Sequence, residues 1–256
     1  NLPLAVFCGI LMGIVMGIFM GYFHILMNTN LILTGVAINT FTRGATVMIL
    51  YTFTGDKGSS SLVKSLAVGN WDIPVIKDIP ILGQILSGHN GFTYFAFLAV
   101  IFTWFLMYRT PLGLRIRAVG ENSSAAESVG ENPAKSKLIA LGFSGFFSAL
   151  GGMYMSMGNM SVFITNMTGG RGFIGVAADA MGRGNPIGAM LASLLFGAAN
   201  AVANVLQINN FPVDMVMAIP YVVSIAGIII YSANEQHRKN SRVKQAIRAA
   251  EREETA

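Results

Sequence analysis

Residues 4–26 read LAVFCGILMGIVMGIFMGYFHIL and contain no Asp, Glu, Lys or Arg. A membrane-spanning α-helix needs about 20 consecutive apolar residues, so this stretch is long enough to cross a bilayer. Its glycines recur at every fourth position, at Gly9, Gly13, Gly17 and Gly21, and this spacing places them on one helix face. Because lipid gives helices little hydrophobic drive to associate, close backbone approach over small residues is a common packing device. The stretch therefore predicts a membrane helix packed through a glycine stripe.

A secretory signal peptide is the competing interpretation of an apolar N-terminus. Signal peptides carry a basic segment before an apolar core of about 7–15 residues and a small-residue cleavage site after it. Residues 1–30 have no Lys or Arg, no such cleavage site and a longer apolar core. We therefore expect a packed span. Because the chain also lacks an initiator Met, we expect it to begin inside a longer protein.

The remainder of the 256-residue chain is also poor in charge. Only 11% of the residues are charged and 53% are hydrophobic, whereas soluble domains carry about 25% charged residues. Four further stretches lack Asp, Glu, Lys and Arg altogether, namely residues 79–108, 138–170, 184–213 and 215–234. We therefore predict an all-α fold, a polytopic transmembrane helical bundle. One cysteine and three scattered histidines exclude an internal disulfide and provide no metal-ligand spacing.

The basic residues indicate how the bundle is oriented. Of the 17 Lys and Arg, five lie in residues 109–137 and six in residues 234–256. Because cytoplasmic segments of membrane proteins are enriched in Lys and Arg, we expect both segments in the cytoplasm, and this distribution indicates a membrane rather than nucleic acid. Residues 1–233 then form a transmembrane domain and residues 234–256 a basic cytoplasmic tail. The turn-rich segment 55–90, predicted to include a surface-lying helix, is external.

Two cytoplasmic segments must be separated by an even number of membrane crossings. Only three long apolar stretches lie between residues 137 and 234, so a fourth crossing is missing. The candidate is the Gly-rich segment 169–188, which contains Arg171, Asp179 and Arg183. Irregular backbone at membrane depth is tolerated only where it is buried in protein or lines water. We therefore predict a broken or re-entrant helical segment that lines a pathway; the alternative is that the tail lies outside.

The loop 109–137 carries several signals for helix ends. Ser124 and Glu127 have the spacing of a capping box, and Gly130 fits the position just after a helix. Asn132 and the following proline are typical of the start of the next helix. These signals predict a short helix with a small-residue centre, Ala125 and Ala126, that can lie against another surface. A plain solvated connector is the alternative interpretation.

Two stretches of this loop carry a resemblance to a known family. TPLGLRIRAVGEN, residues 110–122, and VGEN, residues 129–132, resemble the coupling loop of permease subunits of bacterial ABC importers for ribose-like sugars, nucleosides and branched-chain amino acids. The later stretch GRGFIGVAADAMGRGNPIG, residues 170–188, is similar to the nucleoside and simple-sugar branch. The segment 55–90 is less familiar.

The resemblance implies a division of labour in the bacterial plasma membrane. Permeases of this family form a homo- or heterodimer with the pathway at its interface, and an external substrate-binding lipoprotein delivers the solute. Cytoplasmic ATP-binding subunits grip the coupling helix and hydrolyse ATP with Mg²⁺, so the permease itself needs no cofactor and is not an enzyme. The positions that the resemblance assigns to this contact are Gly120, Glu121, Asn122, Ala125, Ala126, Glu127, Gly130, Glu131 and Asn132.

An uncharged nucleoside or sugar needs amide and hydroxyl partners at membrane depth. The candidate pathway residues are Asn39, Thr40, Thr42, Arg43, Asn166, Arg171, Asp179, Arg183, Asn185, Asn200 and Asn204. Each amide can instead hold two helices together. Asp179 pairs in one interpretation with Arg171 or Arg183, or forms an external gate. Arg43 either reaches to a membrane boundary or faces a wet cavity, because a buried arginine is costly.

An ion-coupled secondary carrier of a small polar solute, acting without an ATPase, is the alternative function. Such a carrier needs a titratable carboxylate in its pathway, and only Asp179 and Asp214 lie near the membrane segments. It does not need a capped cytoplasmic helix. A third interpretation, a membrane enzyme, is disfavoured because no nucleophile, base or metal cluster has a suitable spacing.

Overall fold

The computed structural model describes residues 1–63, 67–71 and 87–208, together with the single positions 222, 225, 227 and 229. The chain divides into two compact units, residues 1–169 and residues 170–256. Among the described residues, five helices are long and apolar enough to cross a membrane, Leu2–Leu26, Leu31–Thr54, Gly91–Arg109, Pro133–Asn159 and Pro186–Leu206. The prediction of an all-α polytopic membrane protein is confirmed.

Six α-helices lie in the part of the first unit that the structure describes. In chain order they are α1 (Leu2–Leu26), α2 (Leu31–Thr54), α3 (Gly91–Arg109), α4 (Pro111–Glu121), α5 (Ser123–Ser128) and α6 (Pro133–Met153). A π-helical turn, Tyr154–Asn159, extends α6. Two short strands, β1 (Asn70–Trp71) and β2 (His89–Asn90), pair antiparallel just before α3.

The main packing contact of this unit joins α1 to α6 through the glycine stripe of α1. A Cβ atom added to Gly13 would stand 2.6 Å from the carbonyl oxygen of Gly145, and one added to Gly17 would stand 3.2 Å from the Cα of Gly145. The outer two glycines of the stripe meet side chains, with Gly9 against Met153 and Gly21 against Leu138. The two backbones therefore touch directly, which larger side chains would prevent.

Helix α2 begins and ends at well-defined caps but packs little on the rest of its unit. Asn30 accepts a hydrogen bond at its side chain from the amide of Ile32, 2.9 Å, and Gly55 closes the helix with φ at 73°. Large apolar side chains on α2 are exposed, among them Met48 at 73% and Phe41 at 68%. Because a bilayer solvates such side chains, this exposure agrees with a lipid-facing span.

Part of the predicted external segment 55–90 is paired with a distant stretch of the same unit. The amide of Ser60 donates to the carbonyl of Phe163, 2.9 Å, and the amide of Thr165 donates to the carbonyl of Gly58, also 2.9 Å. Both contacts lie beyond the C-terminal end of α6, so the loops after α2 and after α6 meet at the same end of the bundle. The predicted surface-lying helix of this segment falls outside the described residues.

The second unit contains a helical hairpin of unequal arms. Helix α7 (Arg171–Gly182) has 12 residues, about 18 Å at 1.5 Å per residue, which is shorter than a hydrocarbon core of about 30 Å. Helix α8 (Pro186–Ile208) has 23 residues and is long enough to span. The helices meet closely at their connection, where a Cβ atom added to Gly182 would stand 2.7 Å from the Cα of Ala189.

The hairpin has its own small core of Ala178, Ala192 and Phe196, which are at most 3% exposed. The predicted broken segment 169–188 is thus a short helix and a turn that precede a full-length span. The predicted span of residues 215–231 and the basic tail 234–256 lie outside the described residues, apart from helical backbone at positions 222, 225, 227 and 229.

Candidate functional site

The loop between α3 and α6 is more structured than its sequence suggested. Its first part is helix α4, where the Thr110 hydroxyl accepts a hydrogen bond from the amide of Gly113, 3.2 Å. A Cβ atom added to Gly113 would stand 2.5 Å from the Cα of Met107, so α4 folds tightly against the end of α3. Helix α4 was not predicted from the sequence, although Thr110 followed by Pro111 is a typical start signal.

The short predicted helix is present as α5, but its N-terminus is not a capping box. The Asn122 side chain accepts from the amide of Ala125, 3.1 Å, and from the hydroxyl of Ser124, 2.9 Å. The prediction that Ser124 caps this helix together with Glu127 is therefore wrong. Asn is among the most favourable N-cap residues, and it precedes both serines, so the helix begins at Ser123 rather than after Ser124.

The C-terminus of α5 and the start of α6 follow the predicted signals. Gly130 adopts φ at 90°, and its amide donates to the carbonyl of Glu127, 2.9 Å. The amide of Glu131 donates to the carbonyl of Ala126, 3.1 Å, which completes a Schellman motif. Asn132 then caps α6 by accepting from the amide of Lys135, 3.0 Å. These bonds give the chain one defined path from α5 into α6.

The structure divides the small residues of α5 between two faces. Ala126 is 4% exposed and is buried by its own chain, so it anchors α5 rather than offering a surface to a partner. Ser124, Ala125, Glu127 and Ser128 are exposed. The neighbouring Val129 is 81% exposed, which leaves an apolar side chain at the tip of a polar loop. The outward surface is therefore Ala125 and Val129 with the polar residues around them.

Charged side chains tie α4 to its neighbours. The Arg115 Nε atom lies 2.9 Å from a carboxylate oxygen of Glu131, which joins α4 to the link between α5 and α6. The Arg117 guanidinium lies 4.7 Å from the centre of the Tyr108 ring, which joins α4 to α3. Because Arg115 is 60% exposed, its pair with Glu131 fixes geometry more than it adds stability.

A polar cleft of about 820 Å³ lies beside this loop. The turn between α1 and α2 forms one wall, with His24, Asn28 and Thr29, and the loop forms the other, with Glu127 and Glu131. The turn is held by a hydrogen bond of 2.8 Å between the His24 Nδ1 atom and the carbonyl oxygen of Thr29. The turn between α1 and α2 and the loop 109–137, which the sequence assigns to the cytoplasm, therefore lie at the same end of the bundle.

Three predicted pathway residues lie together on α2. Asn39, Thr42 and Arg43 occupy positions i, i+3 and i+4, and Thr46 extends the same face by one more turn. Arg43 stands twelve residues after Leu31 and eleven before Thr54, so it lies about 17 Å from either end of the helix. This central position favours a wet cavity over a membrane boundary as its surroundings.

The polar side chains of this α2 face differ in the bonds they make. The Thr42 hydroxyl donates to the carbonyl of Ile38, 2.9 Å, and the Thr46 hydroxyl to that of Thr42, 2.8 Å. The remaining candidate on α2, Thr40, bonds to Val36 in the same way. Within the described residues, Asn39 and Arg43 have no side-chain hydrogen bond or ion pair. Only these two side chains of the face therefore present unused donors.

The charged candidates of α7 do not form the predicted ion pair. Asp179 is exposed, and the structure shows no ion pair between Asp179 and Arg171 or Arg183. Arg183 would follow Asp179 by one turn, but it adopts φ at 58° after the helix has ended. The regular i, i+4 spacing of a helix therefore does not extend from Asp179 to Arg183.

The asparagine candidates beyond α2 have separate surroundings. Asn185 uses its side-chain oxygen to accept from the amide of Ile187, 3.0 Å, at the start of α8, so its local role is that of a cap. On α8, Asn200 is half-buried and Asn204 is exposed. Asn166, in the first unit, has φ at 60°, and its carbonyl accepts a hydrogen bond from the amide of Gly169, 3.0 Å.

In the part of the chain that the structure describes, His, Cys, Asp and Glu form no group of three that could hold a metal.

The long apolar helices define a multi-pass membrane protein, and comparison with known proteins assigns its family. Residues 1–230 match the family described as branched-chain amino acid transport system, permease component. The chain belongs to this family, and the predicted relationship is confirmed. It is a multi-pass protein of the plasma membrane. No solved structure matches the chain significantly.

Named relatives cover most of the chain. The guanosine ABC transporter permease protein NupQ of Bacillus subtilis is 33% identical over 200 residues, 76% of this chain and 62% of that protein. The nucleoside ABC transporter permease protein NupC of Lactococcus lactis is 30% identical over 205 residues, 78% of this chain and 64% of that protein. The ribose import permease protein RbsC of Bacillus subtilis is 27% identical over 153 residues, 56% of this chain and 44% of that protein. The chain thus spans less than two thirds of each.

Proposed function

We propose that the chain is the membrane-spanning permease subunit of an ATP-driven importer and forms part of the pathway for a nucleoside or simple sugar. The relatives named for guanosine, nucleoside and ribose transport support this assignment. The structural observation that carries it is the loop of α4 and α5, which is capped at each helix end and exposes Ala125 and Val129 at its tip.

The loop has the construction that coupling to a second protein requires. The tight approach of Gly113 to α3 and the Asn132 cap on α6 connect the loop to two spans without a flexible linker. A displacement of α5 is therefore passed to α3 and α6 rather than absorbed in the connection. We assign α5 as the element that the ATP-binding subunit contacts, with Ala126 holding it from behind.

The chemistry of ATP hydrolysis belongs to the partner in this proposal. ATP and Mg²⁺ bind to the cytoplasmic ATP-binding subunit, and the permease is not an enzyme. A second permease subunit, identical or related, completes the pathway, and an external substrate-binding lipoprotein delivers the solute. The bilayer surrounds the apolar outer faces, and nucleic acid is not a partner.

Co-purification of the ATP-binding subunit from detergent tests the contact. The test variant is Val129→Arg, because Val129 is 81% exposed at the loop tip. The matched control is Leu62→Arg, because Leu62 is also apolar and is 73% exposed at the other end of the bundle. We expect Val129→Arg to reduce recovery of the ATP-binding subunit at least about tenfold, which corresponds to a loss of about 1.4 kcal/mol. Equal recovery with both variants would show that the subunit docks elsewhere.

A further inference from the structure

The α2 face formed by Asn39, Thr42, Arg43 and Thr46 contains a fixed positive charge at the centre of a span. A charged side chain at the bilayer centre is energetically costly. The guanidinium therefore requires water, a partner charge or a ligand with hydrogen-bond acceptors. The acidic residues in the described part of the first unit lie at its two ends, at Asp56, Glu121, Glu127 and Glu131, so none of them is at the depth of Arg43.

The hydrogen bonds on this face define what kind of ligand complements it. Thr42 and Thr46 already donate their hydroxyl protons to the helix backbone, so they offer only acceptor lone pairs. Arg43 carries donors in a planar fork and no acceptor. Asn39, one turn earlier, adds two amide donors and a carbonyl acceptor about 5–6 Å away at the Cβ atoms. The face therefore complements a planar group with adjacent acceptors on one edge.

We propose that Arg43, with Asn39, recognises the base of a purine nucleoside that carries a carbonyl oxygen beside the N7 ring nitrogen. The Arg43 fork donates to that oxygen and to N7 together, the pairing by which arginine reads guanine in nucleic acids. Adenosine presents an amino donor beside N7, so the same fork meets one donor and one acceptor. A free sugar offers hydroxyl groups that do not need the fork. This inference rests on the proposed function and adds a substrate class to it.

ATP-dependent uptake by the assembled transporter tests the inference. The complete importer, with its ATP-binding subunit, second permease subunit and binding lipoprotein, is expressed in cells without other nucleoside uptake. Initial rates are measured with radiolabelled guanosine, adenosine and uridine at concentrations that saturate the binding lipoprotein. The variants are Arg43→Lys, which keeps the charge and loses the fork, and Asn39→Leu. Thr52→Val is the control, because Thr52 lies near the C-terminal end of α2, outside the polar face, and its hydroxyl donates to the carbonyl of Met48, 2.9 Å.

We expect wild type to prefer guanosine over adenosine, and Arg43→Lys to reduce this preference about tenfold while uridine uptake changes less than about twofold. Thr52→Val should keep the wild-type ratio. An equal loss for all three solutes, or an unchanged ratio of guanosine to adenosine, would overturn the assignment and leave Arg43 a structural charge. Membrane levels and recovery of the ATP-binding subunit are measured for each variant, so a folding defect is recognised separately. Absence of ATP-dependent uptake of any solute by wild type would contradict the proposed function itself.

Discussion

Gly13 of α1 and Gly145 of α6 lie in backbone contact. A Cβ atom added to Gly13 would stand 2.6 Å from the carbonyl oxygen of Gly145, and one added to Gly145 would stand 2.9 Å from the carbonyl carbon of Gly13. Real Cβ atoms do not approach backbone this closely. The crossing of α1 and α6 therefore depends on two residues without side chains, one on each helix.

Enlarging this contact should destabilise the first unit. Gly145→Val forces α1 and α6 apart, and overpacking of this kind costs about 1–3 kcal/mol. We expect a melting temperature in detergent lower by roughly 5 °C, measured as loss of the monodisperse peak in size-exclusion chromatography after heating. Gly142→Val, on the same helix with nothing within 4 Å of its added Cβ, is the control. Similar melting temperatures for the two variants would contradict the packing described for α1 and α6.

Replacing Gly130 should loosen α5 without affecting the spans. Gly130 adopts φ at 90°, where a side chain is strained, so Gly130→Ala should destabilise the helix end by about 1 kcal/mol. Hydrogen exchange followed by mass spectrometry should show faster exchange across residues 123–131. Gly120→Ala, in helix α4 with open space around it, should leave exchange there unchanged. Unchanged exchange in Gly130→Ala would argue against the Schellman end of α5.

The two residues that compete to cap α5 are separable by mutation. Asn122→Ala removes the acceptor that holds the Ala125 amide, and loss of such a cap costs about 1 kcal/mol. Ser124→Ala removes only a hydroxyl that donates to Asn122, so its effect should be smaller. Exchange of the Ala125 amide, measured by the same method, should accelerate in Asn122→Ala. A larger effect from Ser124→Ala would instead support the predicted capping box of Ser124 and Glu127.

The pair between Arg115 and Glu131 should contribute little to stability. Its atoms lie 2.9 Å apart, but Arg115 is 60% exposed, and exposed pairs contribute about 0–1 kcal/mol. A double-mutant cycle with Arg115→Gln and Glu131→Gln, followed by thermal unfolding, should give a coupling energy in that range that decreases as salt is raised. A salt-independent coupling of several kcal/mol would mean that the pair is shielded from solvent by another part of the assembly.

Where a local sequence pattern allows only one backbone arrangement, the sequence predicted that arrangement. The four-residue glycine period of α1 and the positions of Gly130 and Asn132 each correspond to one backbone arrangement, and the structure contains all three features. The sequence did not show that Asn122 rather than Ser124 is the N-cap of α5. Both residue types are good caps, and the start of α5 depends on where α4 ends. The sequence did contain the Thr110 and Pro111 signal that begins α4.

Contacts between distant segments were beyond the sequence. The pairing of Ser60 with Phe163 joins residues more than one hundred positions apart, and no local pattern specifies it. The expected ion pair between Asp179 and Arg183 also depended on a feature that the sequence did not specify, the end of helix α7. Spacing along a helix predicts a pair only while the helix continues, and here it ends at Gly182. The polar face of α2 was visible as single residues, but the structure adds that only Asn39 and Arg43 retain unused donors.

The energy source of uptake distinguishes an ATP-driven importer from an ion-coupled carrier. Cells that express the complete importer take up radiolabelled guanosine before and after ATP depletion, and separately with an ionophore that dissipates ion gradients while ATP is maintained. We expect uptake to stop when ATP is depleted and to continue with the ionophore. Uptake that continues without ATP and stops with the ionophore would rule out the ATP-driven importer and identify an ion-coupled carrier.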